Sequence, residues 1–116
     1  MRYTKSLKGS VNFKRVLKQG RFVSGKNIAI YARKNDLNHG INLLGICVSK
    51  KHGNSVVRNK LKRWVREVYY SLENSIDKNY NIVILYRKGI DVEKLNYFAL
   101  KDEIKGLFAK IDLVHE

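Results

Sequence analysis

The chain has 116 residues, with 24 Lys or Arg against 10 Asp or Glu and a net charge of +14. This length supplies one hydrophobic core of moderate size and excludes a catalytic domain joined to a separate binding domain, so residues 1–116 are read as a single domain. The charge is segregated: residues 1–66 carry 17 cations and one acid, Asp36, whereas residues 67–116 carry 7 cations and 9 acids. Solubility alone does not require such segregation, and it points to a polyanion, foremost a nucleic acid, bound by the N-terminal half. The longest clean apolar run, residues 82–86, is too short to span a bilayer, and MRYTKSLKG leads into no hydrophobic signal region. A cytoplasmic protein with no membrane partner is expected. Cys47 stands alone in an apolar alternating segment, without partners at zinc-ligand spacing, and reads as a small core residue.

In chain order, residues 1–9 read as a basic arm. Ser10 is the expected cap of a short amphipathic helix through Gln19, with Phe13, Val16 and Leu17 on one side and Gly20 as its stop. Residues 21–26 read as a short strand. Residues 27–33, NIAIYAR, alternate Ile28, Ile30 and Ala32 against Ala29, Tyr31 and Arg33, the period of a strand with one buried face. Tyr31 and Arg33 share the other face, where an aromatic beside a cation suits base stacking and phosphate binding; a plain solvated face fits the spacing equally well. The turn-rich KNDLNHG then leads to a strand over residues 41–49, for which antiparallel pairing with 27–33 is the economical expectation.

Residues 49–70, SKKHGNSVVRNKLKRWVREVYY, hold five cations within residues 58–66. At 100° per residue, Val57, Trp64, Val65, Val68 and Leu72 fall within about 60° of Leu61, which makes one buried face. Asn59, Lys62, Arg63, Arg66 and Tyr70 lie opposite, with Lys60 on the flank. Arg58/Lys62 and Lys62/Arg66 are like-charge i,i+4 pairs, each costing an isolated helix about 0.2–0.5 kcal/mol, a cost that a polyanionic partner removes. Ahead of the helix, Gly53 permits a sharp turn and Asn54 or Ser55 can cap the free amides. After it, a turn at residues 77–79 precedes NIVILYR, residues 81–87, apolar at nearly every position like a strand buried on both faces. The strand–helix–strand succession predicts that the strands around Val48 and Val83 are parallel. Asp91 can cap a short helical start, and a last helix from about 96 to 111 buries Leu100, Ile104, Leu107, Phe108 and Ile111 as scaffold.

A protein nuclease would need an acid–base pair, but His39 falls in a loop, His52 among basic neighbours and His115 at the end of the chain. With Asp36 the sole carboxylate in the first half, a magnesium cage beside the basic face is hard to build. The sequence describes a binder better than a catalyst.

Taken whole, SKKHGNSVVRNKLKRWVREVY resembles the signature of the bacterial ribonuclease P protein component, V-x-R-N-x-x-K-R-x-x-R, here Val56, Arg58, Asn59, Lys62, Arg63 and Arg66. The similarity extends through SVNFKRVLKQG, NIAIYAR and YRKG. What the resemblance implies is the protein subunit of an RNA-based endoribonuclease that removes the 5′ leader from precursor tRNA, with catalytic Mg2+ held mainly by the RNA and no protein partner required. The implied fold is an α/β (α+β) sandwich of αβββαβα order, ribosomal protein S5 domain 2-like, with a left-handed βαβ crossover through the basic helix. By position, Lys50, Lys51, Gly53, Asn54, Arg58, Asn59, Lys62, Arg63 and Arg66 would contact the catalytic RNA. A cleft between the first helix and the sheet, with Phe13, Leu17, Tyr31 and Arg33, would hold the leader; Leu17 departs from an aromatic more typical of the family. The alternatives are a stand-alone basic RNA-binding module with no part in cleavage, and an autonomous nuclease using His39 or His52.

Overall fold

The computed structural model describes residues 2–114; the expectation for His115 lies outside them. Five strands, β1 (Thr4–Ser6), β2 (Arg21–Ser24), β3 (Ile28–Lys34), β4 (Asn42–Cys47) and β5 (Tyr80–Tyr86), form one sheet in the order β1-β4-β5-β3-β2. Three helices, α1 (Ser10–Gln19), α2 (Ser55–Leu72) and α3 (Tyr97–Lys110), complete a mixed α/β domain. Among the described residues no helix is long and apolar enough to cross a membrane.

Two expectations about the strands are corrected. The chain begins with a strand, so the order is βαβββαβα: part of the expected basic arm pairs in parallel with β4, Thr4 opposite Asn42. Strands β3 and β4 are not neighbours, because β5 lies between them, antiparallel to β3 and parallel to β4. The reason is hydrophobic. Ile82, Val83 and Ile84 are fully buried, so β5 loses most apolar surface to water unless it takes the central position. The parallel pairing of β4 with β5 through α2 is as expected.

Opposed residues on adjacent strands share a face, so the two-residue period divides the core. Ile28, Ile30, Ile82, Ile84 and Tyr86 face α2 and α3, packing with Leu61, Val65, Val68, Leu100, Ile104 and Phe108. Tyr31 lies opposite Val83, and Val83 opposite Gly45, on the other face. There α1 covers only part of the sheet, with Leu7, Val16 and Val83 buried and Phe13, Tyr31, Cys47 and Leu85 half-buried. Helix α1 starts at Ser10 but is not capped by it: Gly9 is the N-cap residue, without a side-chain bond.

Polar ties fix the edges. Glu103 on α3 accepts from the Asn27 and Ile28 amides at 2.9 and 2.7 Å, anchoring the β2–β3 hairpin. Glu73, buried just after α2, accepts from the Arg2 and Tyr3 amides at 2.8 and 3.1 Å, holding β1 to the sheet edge. Burial alone would raise the Glu73 pKa, but the Thr4 hydroxyl and the two amides outweigh it and hold the carboxyl below its ordinary value. A depressed carboxylate contributes stability above its unfolded pKa of about 4.3 and loses it as pH falls through the folded value. Urea unfolding between pH 6 and pH 3 should therefore show a stability loss that is smaller in Glu73→Gln.

Candidate RNA interface

The approach to α2 is built by local backbone chemistry. Ser49 caps a single 3-10 turn, Lys50–His52, by accepting from the Lys51 amide at 3.2 Å, which leaves Lys50 and Lys51 exposed. Gly53 follows at φ 145°, and a Cβ there would meet Val57 at 2.9 Å, so both conformation and space demand glycine. Asn54 then caps α2, accepting from the Val57 amide at 3.0 Å. His52 is buried: its Nδ1 accepts from the Ser49 amide at 3.2 Å and its Nε2 meets the Arg87 carbonyl at 3.0 Å. With both nitrogens engaged in holding this loop to the end of β5, His52 is a structural residue. His39 is exposed in a loop at φ 54°.

Along α2 the apolar stripe is as expected for Leu61, Val65, Val68 and Leu72, while Val57 and Trp64 are half-buried and Tyr69 is an unforeseen core residue. Three of the α2 cations define its polar side. Arg63 is exposed, 3.8 Å from Glu67, and Asn59 is also in solvent. Lys62 and Arg66 line a cavity of about 320 Å³ beside the part of β4 beyond its pairing with β1, with Phe13, Gly45, Ile46 and Lys5 among the other walls, and Arg66 also shares an outward surface with Arg63 and Tyr70. Lys62 also borders a neighbouring cavity of about 440 Å³ with Cys47, Leu85 and Lys88. Burial raises the Cys47 thiol pKa, and the nearby Lys62 charge opposes the rise. Neither cavity lining contains a carboxylate, so these residues do not suit a magnesium cage. The Nε of Arg58 is the one buried side-chain nitrogen or oxygen without a partner among the described residues.

Of the four expected cleft residues, Phe13 and Tyr31 pack together on the α1 face, and only Phe13 lines the cavity that Lys62 and Arg66 share; Leu17 and Arg33 are not among its lining residues. The tip of the Phe13 ring packs against Gly45, where a Cβ would come within 2.4 Å of Cε1 and Cζ, so glycine makes room for the aromatic wall. Leu17 is 41% exposed on α1, and Arg33 is half-buried with its Nε donating to Gln19 Oε1 at 3.0 Å. Tyr31 has a partner that the sequence reading missed: Phe22, directly opposite on β2, 54% exposed, with ring centroids 4.7 Å apart. The cross-strand pairing reveals it; the period of residues 21–26 was too short to do so. Lys5 and Lys88 were missed for the same kind of reason, since only the folded sheet edge brings them to these cavities.

An α/β domain with a sheet face only partly covered by α1 and a cavity lined by Phe13 and two cations of α2 has the features of the class of basic polyanion-binding proteins. The comparisons are more specific. The family model described as Ribonuclease P matches residues 1–112. The ribonuclease P protein component of Clostridium acetobutylicum is 35% identical over 93% of this chain and 89% of its own length. The Staphylococcus aureus RNase P protein superposes with a TM-score of 0.82 at 26% identity, covering 97% of this chain and 98% of that one. The Thermotoga maritima RNase P protein gives a TM-score of 0.80 at 29% identity, covering 93% and 98%. The chain belongs to the ribonuclease P protein family.

Proposed function

We propose that this chain is the protein subunit of a ribonuclease P ribonucleoprotein, docking on the catalytic RNA through α2 and its leading loop while the cleft grips the 5′ leader of precursor tRNA. The observation that carries this reading is the cavity shared by Phe13, Lys62 and Arg66. An aromatic wall and two cations around one opening suit a single strand, with bases stacked and phosphates neutralised. The contacts favour precursor over mature tRNA by reading shape and backbone, not base sequence. Because Lys62 and Arg66 reach the cleft, docking and leader binding meet at this edge, and Arg63 with Asn59 forms the outward docking surface.

The reading carries further proposals. Magnesium for the cleavage step is held mainly by the RNA, which supplies the metal-activated hydrolysis; the protein's residues bind and orient the strand. The β4–α2–β5 crossover is left-handed in an S5 domain 2-like arrangement, the site of action is cytoplasmic, and no further protein is required. Incubating the chain with ribonuclease P RNA and precursor tRNA at low magnesium should rescue 5′ cleavage, and failure to do so would favour a stand-alone RNA-binding module. In the same reconstitution, Phe22→Ala should weaken precursor tRNA binding roughly tenfold, the order of one lost stacking contact, while leaving mature tRNA binding unchanged.

A further inference from the structure

A row of aromatic rings crosses from α2 to α3, away from the cleft. Lys60 Nζ sits 4.7 Å from the centroid of the Trp64 ring, Trp64 meets Tyr97 edge-on at 6.2 Å, and Tyr97 meets Phe98 edge-on at 5.5 Å. The row ends in Phe98, which is 74% exposed on the first turn of α3, whereas Trp64 and Tyr97 are anchored against the core. A lone exposed apolar residue needs no explanation. Phe98 differs because it terminates an ordered series of rings that begins at a lysine of the cationic helix.

We propose that Phe98, backed by Tyr97, Trp64 and Lys60, is a stacking platform for an unpaired base of the same folded RNA that docks on α2. This rests on the proposed docking of α2 on ribonuclease P RNA and extends it to α3, which the sequence marks only as scaffold. A ring face accepts any base, so the platform is tolerant of sequence. Lys60 supplies a cation on the α2 side. On α3, Lys101 and Asp102, three and four residues beyond Phe98, carry opposite charges, so the cation that distinguishes the α2 side is Lys60. The competing occupant, a second copy of the chain, would bring another net charge of +14 toward the Lys60 end of the row.

The test is binding of ribonuclease P RNA to the full chain carrying Phe98 variants; at this exposed position the substitutions leave the core intact. Phe98→Ala and Phe98→Leu should each weaken binding about tenfold with an unchanged salt slope, while Phe98→Trp binds as the parent does. Lys60→Ala should reduce the slope by about one phosphate contact. RNA should also quench the emission of Trp64, the chain's only tryptophan. Undiminished binding by Phe98→Ala would overturn the platform and leave the docking reading standing, and parent-like binding by Phe98→Leu would replace stacking with plain apolar contact. Dimerisation of the free chain that Phe98→Ala abolishes would assign the surface to self-association. A parent chain that binds no ribonuclease P RNA would remove both readings together.

Discussion

Replacing Arg63 and Arg66 together by alanine is expected to weaken binding to ribonuclease P RNA roughly 10- to 100-fold at low salt, the order expected when two charge-assisted contacts are lost. Both side chains are exposed, and neither contributes to the core, so the fold should persist. The salt dependence separates electrostatics from misfolding. If the basic face neutralises about five phosphates, the parent affinity should fall roughly 500-fold between 50 and 200 mM salt, and the double variant should lose about two units of slope in duplex-like terms. The single variants carry the structural point. Arg66→Ala should weaken both RNA docking and leader binding, because Arg66 lines the cavity that holds Phe13, whereas Arg63→Ala should affect docking alone. Equal effects of the two singles in both assays would refute that division.

Asn42→Ala should be the most destabilising of the substitutions considered, by about 3 kcal/mol, with a fall in Tm on the order of 10 °C in thermal unfolding. Asn42 is fully buried and its side chain is fully used. The Nδ2 group donates to the Asp77 carbonyl at 2.8 Å and to the Tyr69 hydroxyl at 3.2 Å, while Oδ1 accepts from the Tyr80 amide at 2.9 Å. Tyr69 in turn lies 2.9 Å from the Thr4 hydroxyl, so one amide joins β1, α2, β4 and the start of β5. Truncation strands several buried polar groups at once, and each costs about 1–3 kcal/mol before relaxation and entering water recover part of it. Tyr69→Phe removes only the hydroxyl, leaving Thr4 and one Asn42 hydrogen to find other partners, and should cost about 1 kcal/mol. A loss for Asn42→Ala no greater than for Tyr69→Phe would show that the network does not act as a unit.

Local period and distant pairing divide these residues. The α2 stripe was legible because a 3.6-residue period over five turns leaves little choice of buried face, and Leu61, Val65, Val68 and Leu72 are all buried. The continuous apolar run of β5 announced a strand covered on both faces. By contrast, β1 is three residues long and polar in sequence; it is a strand because Glu73 and the β4 edge supply its partners, separated from it by tens of residues. Asn42 carried no signal, since a polar residue at a strand start reads as a loop residue until its partners are known. Phe22 likewise gained its place only through pairing with Tyr31.

What the sequence by itself determined is the local chemistry: which segments are amphipathic, that a cap for α2 stands at Asn54 or Ser55, and that the excess of positive charge lies in the first half of the chain. These follow from periodicity and charge within a few turns of backbone. Strand order, the adjacency of Lys62 and Arg66 to Phe13, and the ring series from Lys60 to Phe98 were decided by tertiary structure. Each depends on packing between segments far apart in the chain, where burial of β5 sets the sheet and the sheet then sets which side chains meet.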